Sequence, residues 1–352
     1  MMWRVRSTDR ACFMHVHKAA GTSMRRMLEA ALPPGSLAPR RIEAANFCGF
    51  DDFDGLSAEA RSVVAANEAE LRELADYPVI CGHMTLPTLE RFAPPGRIAT
   101  ILREPRARVI SYYLHLRTSV PLRTIWSHYG VHRFGDGTLA QFLSDRRVAR
   151  MSDNRICRMV LHGDPRIRDG EFIAERHLGE LGEEAAARLD ELGFVGIVEE
   201  PDEARRGVGR LFGIELELLL ANVTGAGEVA PGGLPAPPFG GAETLDLLER
   251  RSAADAIAYR HVVARAHGAA GAARLAGAAF ADALVRYGSF TATALAELDS
   301  ERHALAEARG HLHESTRGLE RHEALLEAVT RSRSWRYTAP LRRGLQRLRR
   351  GG

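Results

Sequence analysis

Short apolar runs punctuate the chain at wide intervals. Phe13–Val16, Val79–Cys81, Ile98–Leu102 and Phe194–Val198 are too short for helices and too apolar for loops, so they predict buried strands. Cys12 extends the first of them. Between the runs, Ala58–Ala75, Arg106–Arg117 and Gly182–Leu192 carry apolar residues at helical spacing. From Ser23 onward, Met24, Met27, Leu28 and Ala31 share one helix face. Strands alternating with helices predict an α/β fold, a parallel sheet flanked by helices. In such sheets ligands sit beyond the carboxyl ends of the strands. Gly225–Gly241, rich in Gly and Pro, predicts a loop or flap, and Asp246–Tyr287 returns to an Ala-rich helical pattern.

The pattern changes near Thr291. Leu298, Leu305, Leu312, Leu319 and Leu326 recur every seven residues. Their companions are Glu301, Ala308, Ser315, His322 and Val329, which make a poor second seam. A dimeric coiled coil and a long helix packed on its own domain both fit this heptad-patterned segment. The tail "RSRSWRYTAPLRRGLQRLRR" has many arginines, no acid, and Trp335, Tyr337, Leu341, Leu345 and Leu348. It suits an anionic membrane surface, a nucleic acid, an acidic partner, or simple solvation. The expected organisation is a main domain over 1–290, an amphipathic helix over 291–330 and a basic tail over 331–352.

Composition narrows the class. Of 352 residues 45% are hydrophobic, and the net charge is +3, too small to argue for nucleic acid as a general partner. The four cysteines, Cys12, Cys48, Cys81 and Cys157, are far apart and form no C-x-x-C pair, which speaks against a disulfide framework or zinc site. No signal peptide and no apolar run of membrane-spanning length is evident, so the expected location is a reducing cytosol.

Chemistry concentrates in two turns. In "CFMHVHKAAGTSMRRML" a strand meets a helix through Lys18, Gly21, Thr22 and Ser23. A helix start presents free N–H groups and partial positive charge, Gly21 permits close backbone approach, and the hydroxyls and the ammonium add donors. That describes a phosphate cradle, although an ordinary turn with a solvated lysine has the same residues. It is not G-x-x-x-x-G-K-[ST], because the lysine precedes a single glycine. In "RIATILREPRARVISYYLHLR", Arg103 ends a strand, Pro105 opens a helix and Ser111 follows two turns in. An arginine fork and a serine hydroxyl make a second phosphate site. Two such sites suit a nucleotide with phosphates on both sides of its ribose.

The sequence resembles the PAPS-dependent sulfotransferases, in the carbohydrate branch that includes heparan 2-O-sulfotransferases and bacterial members. "HVHKAAGTS" is similar to the family's h-x-P-K-[TC]-[GA]-G-T-S, and "LREPRARVISYY" to its L-R-[DE]-P-x-x-R-x-x-S-x-[YF]. "ICGHMTL" resembles its strand ending in Gly-His, and "SDNRICRMVLHG" its D-N-x-x-[TC]-R-x-[LV]-x-G segment. "FVGIVEEPDEARRGVGRLFGI" resembles its late strand and helix. The likenesses occur in the family's order over roughly residues 10 to 225. Two positions depart. His17 stands where the family has Pro, losing a rigid φ, and Ala20 stands where it often has Gly, which asks for an ordinary L-residue backbone there.

The resemblance implies a P-loop-like sheet and transfer of a sulfuryl group from 3′-phosphoadenosine 5′-phosphosulfate to an acceptor hydroxyl. Lys18 would stabilise the leaving phosphate oxygen. Ala20, Gly21, Thr22 and Ser23 would hold the 5′-phosphosulfate, and Arg103 and Ser111 the 3′-phosphate. His83 would be the general base, with His17 in reserve and His15 in the core. Asn154, Arg155 and Arg158 are expected near the cofactor or acceptor, with a helix cap as the other role for Asn154. No metal is implied. The branch points to a sugar hydroxyl on a surface polysaccharide or glycolipid, with the basic tail docking at the inner membrane face. The rival readings are a small-molecule kinase, which lacks its glycine loop and magnesium acid here, and a nucleotide-binding scaffold.

Overall fold

The computed structural model describes residues 9–39, 42–43, 58–65, 67–118, 137–219 and 236–331. Four strands form one parallel sheet: β1 Ala11–Met14, β4 Val79–Gly82, β5 Ile98–Leu102 and β6 Phe194–Ile197, in the order β4-β1-β5-β6. A second, two-stranded parallel sheet pairs β2 Ile42–Glu43 with β3 Val64–Ala65.

Side chains alternate across the main sheet, and both faces are covered. Cys12, Met14, Ile98 and Leu102 face a core completed by Leu181, Ala185, Leu189, Ala258 and Val263. Phe13, Cys81, Ala99 and Ile101 face the opposite core, built with Met24, Leu28, Ala204 and Val208. A third cluster joins the helix Pro105–Thr118 to Phe142, Tyr287 and Phe290. Cys12, Cys81 and Cys157 are buried free thiols, and Cys48 lies outside the described residues.

The predicted helix Ala58–Ala75 is broken. Helices Ala58–Val63 and Glu68–Glu73 flank β3, whose Val64 pairs with Ile42, and Asn67 caps the second helix by accepting from the Ala69 and Glu70 amides. The helix expected from Gly182 begins earlier, at Glu175, and ends at Asp190.

Internal contacts divide the chain into two units, Met1–Ala294 and Leu295–Gly352. Helix Gly241–Arg250 is followed by helix Ala253–Arg331, interrupted by non-helical backbone at Gly268, φ 68° and ψ 170°. The stretch Ala253–Thr291 has the length and apolar composition of a membrane span, and 22% of its most apolar window is buried. That corrects the expectation that no such run exists. Alanine supplies the apolar character, so no run of large side chains marks it. Ala254, Ala258, Ala272, Ala276, Ala283 and Tyr287 along it are buried in the domain. The side chains of the leucine column and the tail 332–352 lie outside the described residues.

Candidate functional site

Strand order aligns the candidate residues in a row. At the carboxyl ends, His83 follows β4, His15 to Lys18 follow β1, Arg103 follows β5 and Glu199 follows β6. Neighbouring strands bring together residues far apart in sequence.

The loop after β1 is held in an unusual conformation. Lys18 and Ala20 have φ 65° and 57°, left-handed values that L-residues seldom adopt. Ala20 therefore departs from the ordinary backbone its side chain prefers. The helix Gly21–Ala31 starts with Ala20 as N-cap and no side-chain cap bond. Met24 N–H reaches Ala20 O at 3.0 Å, and among the described residues no backbone acceptor meets the Gly21 and Thr22 amides. Such amides at a helix start are the groups that bind anions. Gly21 is required by packing: a Cβ there would lie 1.6 Å from His15 Cδ2. Its missing side chain makes room for a histidine rather than for the ligand. Ser23 is buried and Thr22 half-buried at the same turn.

Three imidazoles stack over this loop. His83 lies between His15 and His17, with ring centroids 3.8 and 3.5 Å away. His83 Nδ1 bonds the His15 carbonyl oxygen at 2.7 Å. A carbonyl only accepts, so Nδ1 carries the proton and the neutral ring keeps its lone pair on Nε2. His17 Nδ1 accepts from Arg155 Nη2 at 3.3 Å. Burial holds the His17 pKa well below the usual histidine value, and His83, Arg155, His15 and Arg108 add to this. His17 is neutral near pH 7. The turn after His83 is fixed by buried Glu43, which accepts from Thr85 N–H at 3.0 Å and Thr88 Oγ1 at 2.7 Å.

Positive charge collects beside the stack. Arg103 Nη1 donates to the Lys18 carbonyl oxygen at 3.3 Å. The Lys18 ammonium is pushed down to about 8, first by burial, then by Arg103 and Arg286. Burial and Arg286 also lower Arg103, while Glu199, Glu104 and Tyr259 act the other way. His115 is pushed down to about 3 by burial and then by Lys18. Ser111 is half-buried. Among the described residues, Lys18, Arg103 and Arg286 form no ion pair with an acid. A cavity of about 420 Å³ is lined by Glu104, Pro105, Arg106, Ser252, Tyr259 and Arg260 among others, and Lys18, His83, Arg103 and Ser111 are not in its wall.

The Asp-Asn-Arg segment divides into structural and site-facing members. Asn154, at φ 44°, accepts from the Ala254 and Asp255 amides, while Asp255 accepts from the Ile156 and Cys157 amides. Each residue caps the helix of the other. Arg158 binds Asp153 Oδ2 at 2.6 Å and the Arg168 and Glu171 carbonyls. Asn154 and Arg158 are thus engaged inside the domain, and Arg155 alone of the three reaches the histidine stack. Arg108 went unassigned in the sequence reading. It is fully buried, donates from Nη2 to Met151 O at 3.1 Å, and leaves Nε and Nη1 without partners. Among the described residues, no cluster of three or more His, Cys, Asp or Glu is placed to hold a metal ion. No protein-family model and no curated protein matches the chain.

Proposed function

We propose that the chain is a PAPS-dependent sulfotransferase with a P-loop-like cofactor cradle, acting on a carbohydrate hydroxyl. The observation that carries this reading is the convergence of Lys18, Arg103 and an uncapped helix start beside a histidine with a directed lone pair. The Gly21 to Ser23 amides and the Thr22 and Ser23 hydroxyls bind the 5′-phosphosulfate. Arg103 and Ser111 bind the 3′-phosphate.

His83 Nε2 takes the proton of the acceptor hydroxyl as its oxygen attacks sulfur. The bond from sulfur to the phosphate oxygen breaks, its electron pair passes to that oxygen, and Lys18 stabilises the charge formed there. Imidazolium at His83 is shielded from neither His15 nor His17, so both must stay neutral during transfer. Arg155, through its bond to His17 Nδ1, favours the neutral form. Positioning and electrostatics supply the catalysis, as in phosphoryl transfer.

The acceptor is a sugar of a surface polysaccharide or glycolipid. The basic tail docks on the inner membrane face. Incubation with sulfur-labelled PAPS and polysaccharide acceptors tests the reading. Label transfer by wild type, lost in His83→Ala with nucleotide binding retained, is the expected result. Transfer from labelled ATP instead would replace the reading with the kinase.

A further inference from the structure

A cavity forms where the start of the Pro105 helix meets the start of the helix beginning at Ala253. Its volume of about 420 Å³ is that of a small-molecule site. Ser252 in its wall is 2% exposed, and its hydroxyl has no hydrogen-bond partner among the described residues. The backbone there is fixed: the Ser252 amide donates to Glu249 O at 3.1 Å, and the Ala256 amide donates to Ser252 O at 2.8 Å. A serine just before the first helical turn ordinarily caps it. Here Asn154 Oδ1 already accepts from the Ala254 and Asp255 amides, so the Ser252 hydroxyl is released from that duty. Tyr259, in the same wall, carries a second buried hydroxyl without a partner. Burying a hydroxyl with nothing to bond is costly, and two in one wall mark a place where a polar molecule fits.

Charge in the wall is balanced. Arg106 donates from Nε to Glu104 Oε1 at 2.7 Å, pairs with Glu249 at 3.6 Å and lies 4.1 Å from the Phe280 ring centroid. Arg260, exposed, is the fourth charged residue of the lining. Two acids and two arginines cancel, which leaves no excess charge to hold a phosphate or a carboxylate. A purely apolar ligand would strand the Ser252 hydroxyl. A neutral ligand with several hydroxyls meets every demand of this wall. Its hydroxyls accept from Ser252 and the arginines and donate to Glu104 and Glu249. Its C–H face packs on Ala253, Ala256, Ile257 and Ala276.

We infer that this cavity is a binding site for a neutral sugar unit, separate from the row of candidate residues at the strand ends. The inference stands apart from the nucleotide reading. Joined to it, the cavity gives a polysaccharide acceptor a hold away from the reacting sugar.

The test measures dissociation constants of methyl glucoside, methyl galactoside and methyl N-acetylglucosaminide by NMR titration. The proteins are full-length wild type, Ala256→Leu, Ser252→Ala and His83→Ala, and acetate, inorganic phosphate and benzene are the competitors. The expected result is binding of at least one glycoside by wild type. Ala256→Leu, which fills the cavity, should weaken it tenfold or more, and Ser252→Ala threefold or more. His83→Ala should change it less than twofold, and no competitor should displace it. Should one cavity variant fail to fold, the other decides. No glycoside binding by wild type would leave the cavity a water-filled void and overturn the inference. Unchanged affinity in either folded cavity variant, or displacement by acetate, phosphate or benzene, would overturn it as well. Thermal shift with 3′-phosphoadenosine 5′-phosphate, run on wild type and Ala256→Leu, keeps the two readings apart. An equal response in both supports a site separate from the nucleotide's, and no response in either sinks the nucleotide reading alone.

Discussion

Gly21 has no room for a side chain, because the ring of His15 occupies the place a Cβ would take. Gly21→Ala must push that ring against its stacking partner His83. We expect a loss of about 1–3 kcal/mol in stability, and a larger loss of turnover, because His83 moves with it. Chemical denaturation alongside a transfer assay separates the two effects. Lys18 gives a pH signature. Its pKa in the free protein is about 8, and a bound anion raises it. Below pH 8 the ammonium is already charged and affinity is level. Above it, binding must take up a proton, and affinity falls with rising pH. Titration calorimetry in buffers of different ionisation enthalpy should show this uptake above pH 8 and none below. Arg155 and Arg158, alike in the sequence, should behave differently. Arg158→Ala removes the close ion pair of the buried Asp153 carboxylate, leaving it Arg251 at 3.9 Å and the Ile173 and Asn154 donors, and should cost about 3 kcal/mol. Arg155→Ala should cost less stability and more activity. Lys18, Arg103 and His83 were legible in sequence because each lies at the end of a short apolar run, where strand-to-turn geometry is local. Arg108 and the histidine stack were not, because their contacts depend on which strands and helices become neighbours.

At the scale of elements, the four main strands and the Pro105 helix are legible in the hydrophobic pattern, since each buries a nearly continuous run. The segment from Ala58 to Ala75 is not. Its apolar residues keep helical spacing, but two of them leave the helix to pair with Ile42 and Glu43. Only that distant partner distinguishes strand from helix there. The pair of caps made by Asn154 and Asp255 is equally non-local, with each side chain serving a helix about a hundred residues away. Asn154→Ala removes a cap and places alanine at φ 44°, so both helix starts loosen. The expected loss is about 1–2 kcal/mol, with hydrogen exchange rising at residues 155–160 and 253–258 together. A rise at one segment alone would show that the two caps are independent. The tail is tested as an element too. Deleting 331–352 should abolish binding to anionic liposomes, and unchanged binding would remove its docking role.

For the whole molecule, the alternation of strand and helix announces a parallel sheet, but the order β4-β1-β5-β6 is what creates the row of candidate side chains. Stability should carry the mark of its buried histidines. His17 and His115 have folded pKa values below that of an unfolded imidazole. Below about pH 6.5 the unfolded chain therefore binds more protons at these positions. Stability falls as pH drops from 6.5 toward 3, and each of these histidines replaced by a neutral isostere should flatten that slope. The central claim is that one sheet edge holds a nucleotide phosphorylated at both 3′ and 5′ positions. The most direct measurement is a thermal shift with 3′-phosphoadenosine 5′-phosphate, ADP and ATP, on wild type and Arg103→Ala. Stabilisation of wild type by the 3′,5′-bisphosphate alone, lost in Arg103→Ala, is the result predicted here. A response to ATP with magnesium, or to no nucleotide at all, would contradict it.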